Sequence, residues 1–133
     1  MGRYAATTRG IEVTVEPAYL ETHSDPDAGK WVWSYQVQIR NGGTGAVQLL
    51  RRRWRIIDAS GRTMLVEGDG VVGEQPVLEP GQTFEYTSGT PLETSSGIMS
   101  GTYHMVVLAS GDTFDAEVPA FSLDSPGPVR RLH

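Results

Sequence analysis

From Gly10 onward apolar and polar side chains alternate, Ile11, Val13 and Val15 against Glu12, Thr14 and Glu16, until Pro17 stops the pattern. Period two is the mark of a strand with one buried and one wet face, so a strand is predicted here. A second strand follows, with Trp31, Trp33, Tyr35, Val37 and Ile39 on one face and Ser34, Gln36, Gln38 and Arg40 on the other. Between the two lies Ser24 to Gly29, rich in Asp, Pro and Gly, which favour bent backbone. Asn41-Gly42-Gly43 ends the second strand with a hairpin-type signal.

Ala46 to Asp58 reads as a third strand, long enough to need a twist or a bulge. Leu50, Trp54 and Ile56 are placed on one face, and Arg51, Arg53, Arg55 and Ile57 on the other. Asp58-Ala59-Ser60-Gly61 turns into a fourth strand, Arg62 to Glu67, which runs into a glycine-rich stretch ending at Pro76. Glu79-Pro80-Gly81-Gln82 is another turn, and Thr83 to Thr87 alternates again, while Ser88 to Met99 reads as irregular. Thr102 to Ala109, the turn Ser110-Gly111-Asp112 and Phe114 to Phe121 complete the series. About seven short strands, with turn signals near every tenth residue and no helix, predict an all-β, antiparallel β-sandwich of immunoglobulin or fibronectin type III kind. Residues 10–123 form that domain, with 1–9 and the Pro/Arg-rich 124–133 as flexible ends. Trp54 is expected in the core. Tyr103, just after a tight turn, is expected to bond its hydroxyl back to backbone, as sandwich tyrosines do.

Composition narrows the class of protein. The 133 residues suffice for one core, and the apolar runs are far too short to cross a bilayer. With no cysteine there is no disulfide framework, and the amino terminus lacks an apolar stretch of signal-peptide length, so a cytoplasmic location is expected. A net charge of −5 argues against a dedicated nucleic-acid binder.

Gly68, Gly70 and Gly73 fit the G-x-G-x-x-G spacing that elsewhere cradles a pyrophosphate. That use needs a helix opening at the glycines, and β-branched Val71 and Val72 followed by Pro76 prevent one, so the stretch reads first as a connection between strands. Arg51, Arg53 and Arg55 form a stripe on one face, with Arg52 pointing the other way. Such a stripe serves solubility, or an anion or acidic partner. Should the glycine loop return beside it, Gly68, Gly70, Gly73 and Arg53 would be the ligand-binding set for a phosphate-containing molecule. His23, Asp25 and Asp27 alternate in a loop but lack the further ligands of a closed metal site, and no metal or cofactor is expected. His104 lies in an apolar strand with no carboxylate partner evident in sequence. With no cysteine and no identifiable general base, catalysis is not expected.

Taken together, Val47-Gln48-Leu49-Leu50, Trp54 with Ile56 and Asp58, Gly68 to Pro76, Leu78-Glu79-Pro80-Gly81, Phe84 to Gly89, Gly97 to Tyr103 and Pro119 to Leu123 closely resemble the bacterial ApaG family. The family usually has histidine before the tryptophan, where this chain has Arg53, and a Thr-Pro pair where this one reads Thr94-Ser95-Ser96. The resemblance implies a fibronectin type III-like sandwich, a genetic link to cobalt resistance and magnesium efflux, and gene neighbourhood with a diadenosine polyphosphate hydrolase. It also implies kinship with domains of F-box and DNA polymerase delta-interacting proteins taken to be protein-interaction modules. The expectation is a non-enzymatic domain for protein–protein interaction with an unidentified protein partner. The alternative is pyrophosphate or diadenosine polyphosphate binding through the glycine loop.

Overall fold

In a computed structural model that describes residues 2–126, the alternating stretches pair into two antiparallel sheets. In chain order the strands are β1 (Tyr4–Thr8), β2 (Ile11–Tyr19), β3 (Trp31–Asn41), β4 (Val47–Asp58), β5 (Thr63–Asp69), β6 (Val77–Leu78), β7 (Thr83–Leu92), β8 (Ser96–Val107) and β9 (Thr113–Asp124). One sheet runs β1-β2-β3-β7; the other runs β5-β4-β8-β9, with the short β6 also paired to β4. Two 3-10 turns, Glu21–His23 and Pro26–Ala28, fill the loop before β3. The fold is the expected antiparallel sandwich.

Several local expectations are corrected. The amino-terminal segment is not a free end. Tyr4–Thr8 pairs with Val15–Ile11 through a two-residue turn in which Arg9 (φ 50°) and Gly10 (φ 82°) are both left-handed. The Tyr4 ring lies 6.1 Å from that of Phe121, and the Glu117 amide donates to the Thr8 hydroxyl at 3.0 Å, so β1 closes one side of the sandwich. Ser88 to Met99 is ordered too. Leu92 to Ser88 pair with Trp31 to Tyr35, and β8 starts at Ser96; Gly89 and Pro91 disguise a strand whose partners are distant in sequence. Asn41-Gly42-Gly43 makes no hairpin, because β3 and β4 belong to different sheets. Instead the buried Asn41 amide donates to the carbonyls of Gly45 and Leu78, both at 2.9 Å, and steers the crossover. At the carboxyl end β9 extends through Asp124, and the expectation for the tail from residue 127 on lies outside the described residues.

Trp54 sits in the core as expected. It meets Tyr35, Tyr103 and Phe121 edge-on, with ring centroids 5.4, 6.0 and 6.2 Å away, the arrangement that aromatic quadrupoles prefer. Tyr103 is fully buried, but its hydroxyl meets the hydroxyl of Tyr86 at 2.5 Å rather than the backbone. Burial pushes the pKa of Tyr35, Tyr86 and Tyr103 above the ordinary phenol value, because a phenolate would be poorly solvated between the sheets. The long β4 does carry a bulge: its register against β8 shifts between Leu49 and Arg51. The extra residue puts Leu49, not Leu50, in the core together with Trp54 and Ile56.

Candidate functional site

The glycine-rich stretch links β5 to β6 with strands on both sides. It enters at Gly70 (φ 63°), whose amide donates to the Leu50 carbonyl at 2.8 Å. Val71 and Glu74 then exchange backbone bonds of 2.8 and 2.9 Å around Val72 (φ 41°) and Gly73 (φ 81°), a two-residue turn with both central residues left-handed. Gly73 suits that backbone; Val72 is β-branched and strained in it. The side chain of Val71 is fully buried and plugs the loop into the core. Three amides of the motif, those of Gly70, Val71 and Glu74, are therefore occupied by protein carbonyls.

The arginine that meets this loop is Arg52. It lies on the inward side of β4 and donates to the carbonyls of Asp69 and Gly70, at 3.2 and 3.0 Å. A β-carbon on Gly68 would come within 2.8 Å of its guanidinium, so that glycine makes room for Arg52. Arg53 faces the opposite way and pairs with Glu67 at 2.9 Å on the exposed face. Of the predicted ligand set, Gly68 and Gly70 stand together with Arg52, Gly73 sits at the loop tip, and Arg53 does not join them.

Strand registers turn the outer face of the five-stranded sheet into cross-strand rows. Asp69, Arg51, His104 and Asp115 form one row, and Glu67, Arg53, Thr102 and Glu117 form the next. Beyond them come Leu65, Arg55 and Ser100, then Thr63, Ile57, Ile98 and Ser122. A central arginine column is thus flanked by carboxylates on β5 and β9. The β8–β9 hairpin supplies what His104 lacked in sequence: Asp115 accepts a hydrogen bond from its Nδ1 at 2.8 Å. These groups border an open depression of about 370 Å³ lined by Arg51, Arg52, Arg53, Glu67, Thr102, His104 and Asp115. The guanidinium groups of Arg51 and Arg55 make no hydrogen bond or ion pair with any described residue. The row partners Glu67, Thr102 and Asp115 escaped the sequence reading. Counting outward from the Ser110-Gly111-Asp112 turn would have brought Asp115 opposite His104, whereas the β4–β8 pairing has no such local signal.

His23 is in the first 3-10 turn and bonds to Thr22, with Asp25 and Asp27 in the next. Among the described residues no group of three or more His, Asp or Glu side chains is arranged to hold a metal ion. No helix among them is long and apolar enough to cross a membrane.

A protein-family model described as DUF525, ApaG domain, matches residues 21–107. Protein ApaG of Paramagnetospirillum magneticum is 58% identical over 130 residues, 98% of this chain and 99% of that protein. Protein ApaG of Rhizobium meliloti is 55% identical over the same length and coverage. Among solved structures, that of an ApaA protein from Bordetella pertussis superposes with a TM-score of 0.84 at 45% identity, covering 87% of this chain and 94% of that one.

Proposed function

The chain belongs to the ApaG domain family, and from that premise we propose that it is a non-enzymatic binding domain that holds a protein partner on the outer face of its five-stranded sheet. The observation that carries this reading is the arginine column, in which Arg51 and Arg55 have no partner among the described residues. Guanidinium forks match carboxylates bidentately, and arginine is enriched where proteins meet. The exposed Leu65 and Ile98 beside Arg55 add apolar area to the same face. Because Glu67, Asp69, Asp115 and Glu117 flank the three arginines, the face has no net basic field to gather nucleic acid; interspersed signs suit a protein surface of complementary pattern. The cobalt and magnesium link implied by the resemblance would then act through the partner, in the cytoplasm.

A phosphate-containing ligand is the second reading. What favours it is Arg51 in the open depression beside Thr102 and His104, rather than the glycine loop, where the amides of Gly70, Val71 and Glu74 are engaged. Affinity capture from cell extract tests the first reading, comparing the intact chain with an Arg51→Glu/Arg55→Glu variant. A protein retained by wild type and lost by a variant of unchanged unfolding midpoint is the expected result. No retained protein, with wild type folded, overturns it.

A further inference from the structure

The two sheets each end in an edge strand on the side away from β1, and the two edges differ. Along β7 the exposed residues are Thr83, Glu85, Thr87, Gly89 and Pro91, polar or small, with a proline that cannot donate a ladder bond. On β5, by contrast, Leu65 is 66% and Val66 42% exposed, on opposite faces of the sheet. This strand has no proline, lysine or bulge to blunt it, and its only charges are Glu67 and Asp69.

Which backbone groups of β5 are free follows from its pairing. The Gly70 amide bonds to the Leu50 carbonyl at one end, and the Asp58 amide to the Arg62 carbonyl at the other. Hydrogen-bonded pairs alternate along an antiparallel ladder, so Met64, Val66 and Gly68 bond to β4, while Thr63, Leu65, Glu67 and Asp69 turn their N–H and C=O groups outward, the Asp69 carbonyl alone of these being taken by Arg52.

We propose that β5 pairs antiparallel with β5 of a second copy of this chain, centred on Val66, so that the two sheets become continuous. The strand Thr63–Asp69 has Val66 at its midpoint, so this register alone uses its whole length. Leu65 and Glu67 of the second copy then exchange both backbone bonds, and the Thr63 carbonyl accepts from the Asp69 amide of the second copy. Val66 buries its side chain against its counterpart. Every carboxylate of the edge lies opposite an uncharged residue, whereas centring on Glu67 would set like charges directly opposite each other, which is unfavourable. The second copy's Glu67 also enters the cross-strand row of Arg55, which has no partner within its own chain among the described residues.

The chain has no cysteine, so one introduced thiol reports the register. Residues facing each other in a non-hydrogen-bonded pair lie about 4.5 Å apart at Cα, within disulfide range. Under mild oxidation Val66→Cys is expected to form a covalent dimer at least about tenfold faster than Ile98→Cys, a more exposed site off the edge, reflecting the raised effective concentration. Sedimentation of the wild type over a dilution series is expected to show a monomer–dimer equilibrium. Leu65→Pro, which deletes one outward donor and leaves the β4 ladder intact, is expected to abolish the dimer while keeping the unfolding midpoint within a few degrees. A wild type that stays monomeric at about millimolar concentration, equal crosslinking at positions 66 and 98, or faster crosslinking of Leu65→Cys than of Val66→Cys overturns the proposal.

Discussion

Arg52 donates to the carbonyl of Gly70 at 3.0 Å, so the inward-facing arginine of the run, and not its exposed neighbour Arg53, holds the glycine-rich loop in place. The contact ties the glycine-rich loop to the inward side of β4. It also explains the spacing of the glycines: Gly68 clears the guanidinium, Gly70 turns the chain, and Gly73 completes the tight turn.

Gly70→Ala is expected to destabilise the fold. The left-handed backbone alone costs an alanine about 1–2 kcal/mol, and the new methyl would collide with the carbonyl of Glu74. Urea unfolding measures the loss, and partner capture by the folded fraction is expected to be unchanged. Arg52→Ala, which removes two hydrogen bonds, should lower stability by about 1–2 kcal/mol and leave the Arg53–Glu67 pair intact.

Trp54→Ala should cost about 3–5 kcal/mol, because the indole is buried among three aromatic rings that cannot all collapse into the space left. A loss well under 1 kcal/mol in urea would show that the centre of the core lies elsewhere.

The hydroxyls of Tyr86 and Tyr103 satisfy one another, so removing either leaves the other stranded. Tyr86→Phe and Tyr103→Phe are each expected to cost about 1–3 kcal/mol, and the double variant less than the sum. Alkaline stability follows from the same burial. Folding raises the pKa of both tyrosines above 10.0, so the unfolded chain loses these protons first. Their contribution is constant below pH 10 and falls as pH rises beyond it. Unfolding midpoints measured from pH 8 to 11.5 should therefore drop above pH 10, and less steeply in the double phenylalanine variant.

Calorimetric titration with pyrophosphate and with diadenosine polyphosphate separates the loop from the outer face. Loop amides bonded to Leu50, Glu74 and Val71 have little to offer an anion. No saturable heat is therefore expected from the loop at millimolar ligand, and Arg53→Ala should change nothing. Saturable heat abolished by Gly73→Ala would instead make the loop the site, whereas heat abolished by Arg51→Ala would favour the depression on the sheet.

Which side of each strand faces the core was legible in the order of residues, because alternation is local: Ile11, Val13, Val15, Trp33, Val37, Ile39, Trp54 and Ile56 are all buried where period two puts them. The same parity separated Arg52 from Arg51, Arg53 and Arg55, and β-branched residues with proline excluded a helix at the glycines. What the order of residues left open is what lies beside what. Asp115 reaches His104 and Glu67 reaches Arg53 once neighbouring strands have taken their register, and Tyr86 reaches Tyr103 and Tyr4 reaches Phe121 only after strands of different sheets have packed together. The bulge at Leu50 and the pairing of Tyr4–Thr8 with β2 belong to the same class. Side-chain parity is a property of each strand alone; register and sheet order are chosen by the competition of all strands for one core, and only the folded chain expresses the result.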